Sequence, residues 1–168
     1  SGALARLVTV PGRLERAGGD GQPLVVVDYA HSPDALDKVA QVLKDLAAAG
    51  SGRLWVVFGC GGDRDRGKRP LMGAIASRHA DRIIVTSDNP RGEDPNAIIS
   101  EIVTGITVAY EVIADRRAAI AAAVASARAG DVVLLAGRGH ETHQEICGEK
   151  LPFSDLLEAR MALGRWKS

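Results

Sequence analysis

The sequence is poor in aromatic residues and in cysteine, and it has no excess of charge of either sign. Aromatic residues make up 4% of the chain, there are two cysteines, and 21 basic residues balance 21 acidic ones. Two cysteines in no recognisable spacing exclude a disulfide scaffold and favour a reducing compartment. Zero net charge argues against nucleic acid or an anionic membrane as the main partner. No apolar run approaches the roughly 18 residues of a membrane span, and no signal-peptide pattern opens the chain, so we expect a cytoplasmic protein.

Several ligand-binding signatures are also missing. No Walker A sequence occurs, so this chain alone lacks the standard cradle for a triphosphate. Residues 59–64 read GCGGDR, which is close to a dinucleotide fingerprint, but Arg64 occupies the place of the third glycine. That glycine lets the helix pack closely on the strand, so an arginine there weakens the dinucleotide interpretation. No spacing of His, Cys or Asp predicts a metal site.

What the chain does have is a regular alternation of apolar runs and amphipathic stretches. Its 168 residues fit one domain. Apolar runs predict strands at 24–28, 54–58, 82–86, 108–113 and 132–136. Helical periodicity predicts helices at 33–46, 70–80, 95–103 and 116–128, and a last one capped at 154–155 and ending near 163. Residues 1–21 are interpreted as a linker with an edge strand, and 146–152 as a hairpin. The alternation predicts an α/β fold with an open, mostly parallel sheet and helices on both faces.

Four of the predicted strands end in polar loops. These loops are residues 28–31, 59–68, 88–91 and 137–141. A parallel sheet places the carboxyl ends of its strands at one edge, where ligands bind in open α/β sheets. The glycines of the second loop are expected to let the backbone approach a ligand and adopt positive φ. We therefore predict the functional site at this edge.

The second loop also carries four cations, at Arg64, Arg66, Lys68 and Arg69. Guanidinium and ammonium groups beside glycines suit a phosphate or a carboxylate. A solvated basic loop with no ligand is the alternative.

The third loop combines a carboxylate, an amide and a guanidinium on a turn made rigid by proline, in Asp88, Asn89, Pro90 and Arg91. With Arg64 and Glu141 from neighbouring loops, these groups could hold a zwitterion, because guanidinium pairs with carboxylate and carboxylate with ammonium. The alternative is a helix-entry turn that Asp88 caps.

Polar side chains also occur at the end of the first strand, in Asp28, and just after it, in His31. Asp28 could bind a ribose hydroxyl or only cap a turn. His31 could be a base, a nucleotide contact or a capping side chain.

Six motifs, in this order, resemble the C-terminal domain of the Mur ligases over residues 7–163. The motifs are VPGRLE at 10–15, DYAHSPD at 28–34, FGCGGDRD at 58–65, KRPLM at 68–72, DNPR at 88–91 and GRGHE at 137–141. The resemblance is strongest to members that add meso-diaminopimelate as the third residue of the peptidoglycan stem peptide. It implies a Rossmann-like fold of about six strands. One departure is Arg138, where relatives more often have lysine, and another is the absence of the family's central domain.

The resemblance also implies the ligands of the site. The DNPR motif, with Asp88 and Pro90, is associated with meso-diaminopimelate, and lysine-adding relatives usually lack its arginine. By resemblance, Arg64, Asn89 and Arg91 hold the distal carboxylate of diaminopimelate, whereas the Gly137 carbonyl and Glu141 hold its ammonium group. Arg13, Asp28 and His31 match positions near ATP, with Asp28 as a ribose partner and Arg13 as a phosphate contact.

Family members have three domains, so residues 1–21 are expected to lead in from a missing central domain and 22–168 to form the amino-acid-binding domain. The central domain carries the P-loop and the magnesium ligands, and binds most of the ATP and Mg²⁺. ATP phosphorylates the D-glutamate carboxylate of the UDP-MurNAc dipeptide, and diaminopimelate attacks the resulting acyl phosphate. This chain alone is therefore expected to be inactive. We also expect it to be a monomer. A related domain that adds L-lysine and a freestanding nucleotide-binding domain are the alternatives.

Overall fold

The computed structural model describes residues 13–168, so residues 10–12 of the first motif lie outside the described residues. Within this range the strands are β1 (Glu15–Gly18), β2 (Leu24–Asp28), β3 (Leu54–Phe58), β4 (Arg82–Val85), β5 (Glu111–Val112), β6 (Val132–Ala136), β7 (His143–Ile146) and β8 (Glu149–Pro152). The first six form one sheet in the order β1-β2-β6-β3-β4-β5. All its neighbours pair in parallel except β1, which is antiparallel to β2. β7 and β8 form a separate antiparallel hairpin. The predicted α/β fold with a six-stranded, mostly parallel sheet is confirmed.

The helices within residues 13–168 are α1 (Pro33–Ala49), α2 (Lys68–His79), α3 (Pro95–Val103), α4 (Arg116–Ser126) and α5 (Asp155–Gly164). Serine side chains cap two of them, since Ser32 accepts the backbone N–H of Ala35 and Ser154 accepts that of Leu157. Asp115, whose residue type is typical of a helix cap, precedes α4, but its side chain makes no capping hydrogen bond among the described residues.

The sheet separates two apolar cores because successive strand side chains point to opposite faces. Val26 and Val56 pack on one face with α1, α2 and α3. Val25 and Val57 pack on the other face with α4 and α5. Among residues 13–168, no helix is long and apolar enough to cross a membrane.

Several boundaries differ from the prediction. α1 continues to Ala49, and α2 begins two residues early at Lys68, where the buried guanidinium of Arg69 donates to Glu93. β5 is limited to two residues at the exposed edge of the sheet, and the hairpin begins at 143. β1 lies within the predicted linker and is part of the main sheet, while the proposed division after residue 21 stays a prediction.

Candidate functional site

The four polar loops meet around a cavity of about 370 Å³ at the carboxyl edge of the sheet, which we call the loop pocket. The predicted site residues that line it are His31, Arg64, Asp88, Asn89, Arg91, Gly137 and Glu141. A larger cavity of about 640 Å³, beside the turns at Gly21 and Gly130, contains none of the predicted site residues. The convergence that the strand order predicts is therefore present in the structure.

Asn89 joins two of the loops and the hairpin. Its Nδ2 donates to Oε1 of Glu141 at 3.0 Å, and its Oδ1 accepts the backbone N–H of Glu145 at 2.9 Å. Gln144, also on β7, donates from Nε2 to the carbonyl of Asp88 at 2.6 Å. The hairpin therefore holds residues 88–91, in addition to the glycine loop.

Arg91 has φ of +54°, a left-handed conformation that is uncommon outside glycine. Its backbone N–H donates to the carbonyl of Glu145, and its own carbonyl accepts the N–H of Cys147. The guanidinium Nη1 donates to Gly62 O at 3.0 Å and to Asn89 O at 3.4 Å, while Nε lies 3.5 Å from Oε1 of Glu145. Nη2 of Arg91 bonds to none of the described residues, so one edge of the guanidinium remains available to a ligand.

The glycines of the second loop allow contact with the third loop, which is a different role from the predicted one. A Cβ on Gly62 would lie 1.8 Å from the carbonyl oxygen of Pro90, and one on Gly61 would lie 2.8 Å from Nη1 of Arg91. Residues 59, 61 and 62 all lack positive φ, so that part of the prediction was wrong. Their small size, not their backbone freedom, is what this site requires.

Asp88 is 7% exposed and borders the loop pocket. Its carboxylate accepts no hydrogen bond from the described residues. Burial raises the pKa of Asp88 above its ordinary value, and the positive charges of Arg116 and Arg138 oppose this shift. Gly137 has φ of +113°, which side-chain-bearing residues rarely adopt, and a Cβ there would lie 2.6 Å from Oδ2 of Asp88, so any larger residue would be strained and would displace this carboxylate.

Two of the four cations in the second loop do not face the loop pocket. Arg69 is fully buried and is bound to Glu93, and Arg66 pairs with Glu101 on α3. Arg64 and Lys68 do line the pocket. The prediction that all four cations face a ligand is therefore wrong for Arg66 and Arg69, which pair with acidic side chains away from the loop pocket.

The residues predicted near ATP divide between two cavities. Arg13 and Asp28 line a second groove of about 430 Å³ together with Val39 and Val42 of α1, whereas His31 lines the loop pocket. The Asp28 carboxylate accepts backbone N–H groups from residues 14 and 30, one on each oxygen. Each oxygen retains a lone pair for a hydroxyl donor.

A buried ion pair beneath the loops had no signal in the sequence. Arg116 binds Asp155 through Nε at 2.9 Å and Nη2 at 2.7 Å, and both side chains are fully buried. Sequence periodicity marked them only as a helix start and a cap. The hairpin residues Gln144 and Glu145 were missed as well, because contacts 56 residues apart leave no local pattern.

Arg138 is buried under the loops and does not line the pocket. Its Nη2 donates to the carbonyls of His143 and Phe153, and its guanidinium carbon lies 5.0 Å from the centre of the Phe153 ring. Among residues 13–168, no group of three or more His, Cys, Asp or Glu side chains could hold a metal ion.

Comparison with known proteins gives a consistent family assignment. Residues 12–139 match the family "Mur ligase, glutamate ligase domain". The chain is 60% identical to UDP-N-acetylmuramoyl-L-alanyl-D-glutamate--2,6-diaminopimelate ligase of Acidovorax sp. strain JS42, over 97% of this chain and 33% of that protein. It is 57% identical to the enzyme of the same name from Chromobacterium violaceum, with the same coverage. The chain thus spans about a third of the length of these curated relatives.

Solved structures agree with this assignment. A structure of a UDP-N-acetylmuramoyl-L-alanyl-D-glutamate--2,6-diaminopimelate ligase matches with a TM-score of 0.85 and 48% identity, over 95% of this chain and 33% of that one. A bifunctional folylpolyglutamate synthase/dihydrofolate synthase from Yersinia pestis, complexed with AMPPNP and Mn ion, matches with a TM-score of 0.60 and 25% identity, over 77% of this chain and 28% of that one.

Proposed function

This chain belongs to the Mur ligase family through its glutamate ligase domain, and on that basis we propose that it is the amino-acid-binding part of a diaminopimelate-adding ligase. The complete enzyme would join meso-diaminopimelate to UDP-MurNAc-L-Ala-D-Glu in peptidoglycan synthesis, with ATP activating the D-glutamate carboxylate. The chain covers only a third of the length of its relative, which supports the proposal that it is one part of a longer enzyme and is inactive by itself. We also propose, from family membership, that the enzyme is a cytoplasmic monomer.

The observation that carries this proposal is the arrangement of opposite charges around one small pocket. The guanidinium groups of Arg64 and Arg91 border it together with the carboxylates of Asp88 and Glu141. Diaminopimelate differs from lysine by one carboxylate, so its distal end is a zwitterion where lysine has only an ammonium group. Paired cationic and anionic groups in one cavity match that zwitterion.

For the distal carboxylate, we propose Arg91, Arg64 and Asn89 as partners. The uncommitted Nη2 of Arg91 supplies a donor from a rigidly held guanidinium. Arg64 is exposed, and among the described residues its side chain donates only to the carbonyl of the adjacent Asp63, so it can turn toward a ligand. The Asn89 amide fixes the loop against Glu141.

For the distal ammonium group, we propose Glu141, the Gly137 carbonyl and Asp88. Oε1 of Glu141 accepts from Asn89, while Oε2 accepts no bond from the described residues. The carboxylate of Asp88 is also without a hydrogen-bond donor from the described chain. An ammonium group placed between these carboxylates would offset the cost of burying the charge of Asp88.

For ATP, we propose the groove that contains Arg13 and Asp28. Its apolar wall of Val39 and Val42 and the carboxylate of Asp28 suit a base and a ribose hydroxyl, and Arg13 suits a phosphate. His31 follows the same strand but lines the loop pocket, so we propose that it lies between the two ligands. Most of the ATP and Mg²⁺ contacts would come from the rest of the ligase.

The test is the discrimination between diaminopimelate and lysine in the complete ligase. Arg91→Ala is expected to lower kcat/KM for diaminopimelate by about 30-fold or more, equal to about 2 kcal/mol, because it removes a charge-assisted bond. Turnover of lysine, which lacks the distal carboxylate, should change little. Arg66→Ala is the control, since Arg66 lies in the neighbouring loop but pairs with Glu101. An equal loss for both amino acids, or a wild-type preference for lysine, would contradict the proposal.

A further inference from the structure

The width of the loop pocket depends on how two loops meet. Residues 88–91 follow β4 and residues 137–141 follow β6, and β3 lies between these strands in the sheet. The loops therefore meet only beyond the end of β3. Their approach is close, because a Cβ on Gly137 would lie 2.6 Å from Oδ2 of Asp88 and because Asn89 donates to Glu141.

Arg116 connects the bases of these two loops from beneath. Its Nη1 donates to the carbonyl of Ser87 at 2.9 Å, and its Nη2 donates to the carbonyl of Ala136 at 3.1 Å. Ser87 and Ala136 come immediately before Asp88 and Gly137 in the chain. Asp155, at the start of α5, holds the same guanidinium through Nε and Nη2. A guanidinium is planar and its donors have fixed directions, so these contacts fix the spacing of the two carbonyls.

We infer that Arg116 is a positioning residue for the amino-acid substrate. Together with Asp155 it sets the separation of residues 88–91 from residues 137–141, and with it the fit of the pocket to the distal carboxylate and ammonium groups of diaminopimelate. This inference rests on the proposed function, since it concerns the same pocket. Stabilisation of the fold does not by itself explain why this ion pair is present, because buried ion pairs can often be replaced by apolar residues of similar volume without loss of stability.

The test uses the complete ligase with two variants. Arg116→Lys keeps the charge but cannot reach both carbonyls and Asp155 together. The double variant Arg116→Met with Asp155→Leu removes both charges of this pair. Asp155 also lies 3.9 Å from Nε of the buried Arg138, so the folding of this variant is checked by circular dichroism before its kinetics are measured. Each should raise the KM for diaminopimelate about 10-fold or more, because small misplacements of binding groups are costly. The KM values for ATP and for the UDP-MurNAc dipeptide should stay within about 2-fold, because their binding does not depend on this spacing.

The matched controls are Arg117→Lys and the double variant Arg117→Met with Glu158→Leu. Arg117 and Glu158 join the same two helices through an ion pair at 3.1 Å, but Arg117 is exposed and contacts no loop carbonyl within residues 13–168. These controls should leave all three KM values unchanged. A folded Arg116 variant with an unchanged KM for diaminopimelate would overturn the inference, and so would equal rises for all three substrates. Failure of both Arg116 variants to fold would assign the pair to folding and also overturn it. Absence of diaminopimelate ligation in the wild type would instead remove the proposed function, and the inference with it.

Discussion

Replacing Gly62 by alanine should separate the second loop from the third. The new Cβ would lie 1.8 Å from the carbonyl oxygen of Pro90, whereas Cβ atoms essentially never come within 3.0 Å of a non-bonded heavy atom from elsewhere in the chain. One backbone must therefore move by more than an ångström, and neither contact partner is a flexible side chain. Two hydrogen bonds join the loops at this point, from Gly62 N to Asn89 O at 2.8 Å and from Arg91 Nη1 to Gly62 O at 3.0 Å.

Losing both bonds and displacing the backbone should lower the free energy of unfolding by about 2–4 kcal/mol, at about 1 kcal/mol for each bond plus the strain. Urea denaturation of the 168-residue chain, followed by circular dichroism, measures this as a lower midpoint with an unchanged slope. Gly164→Ala is the control, because a Cβ there has nothing within 4 Å. A Gly62→Ala chain within about 0.5 kcal/mol of the wild type would refute the contact that we describe.

Two further predictions concern ionisation. A hydrogen bond from Arg69 lowers the pKa of Glu93 to about 2 from an ordinary value of 4.5. The stabilisation from this carboxylate is therefore fully present above about pH 4.5 and is lost as the pH falls toward 2. Glu93→Gln should flatten that part of the dependence of unfolding free energy on pH, measured by urea denaturation, and an unchanged dependence would contradict the pairing. Burial raises the pKa of the Cys60 thiol to about 12, whereas Cys147 is exposed. Mass spectrometry after iodoacetamide treatment at pH 8 should therefore find one alkylated cysteine in the native chain and two in urea, and rapid labelling of Cys60 in the native chain would show that its burial is wrong.

The position of the site could be predicted from the sequence because it follows from the topology. Apolar runs that end in polar loops identify parallel strands, and parallel strands bring loops such as 88–91 and 137–141 to one edge. Sequence could not decide which cations face the pocket, since Arg64 and Arg69 have the same chemistry and differ only in tertiary contacts. The buried Arg69 pairs with Glu93, which lies 24 residues later in the chain, and a local sequence pattern cannot predict such a contact.

The residues that hold the pocket loops in place could not be predicted from sequence patterns for a similar reason. Arg116 and Asp155 are 39 residues apart, and each also has an ordinary local explanation at a helix start. For the glycines at 61 and 62, the sequence predicts a positive φ, the usual reason for glycine in loops. In the structure their lack of a side chain instead allows the loop at residues 88–91 to pack against them. Both errors arise because local patterns do not record long-range packing.

The way the hairpin holds residues 88–91 has a consequence for synthesis on the ribosome. Gln144 and Glu145 contact Asp88 and Asn89 across 56 positions of sequence. A nascent chain that has emerged only as far as β6 contains every described strand of the main sheet but lacks the hairpin that holds residues 88–91. If residues 88–91 bind the amino acid as proposed, selectivity is acquired only after the strands of the sheet have emerged, when the last fifth of the 168 residues has left the exit tunnel.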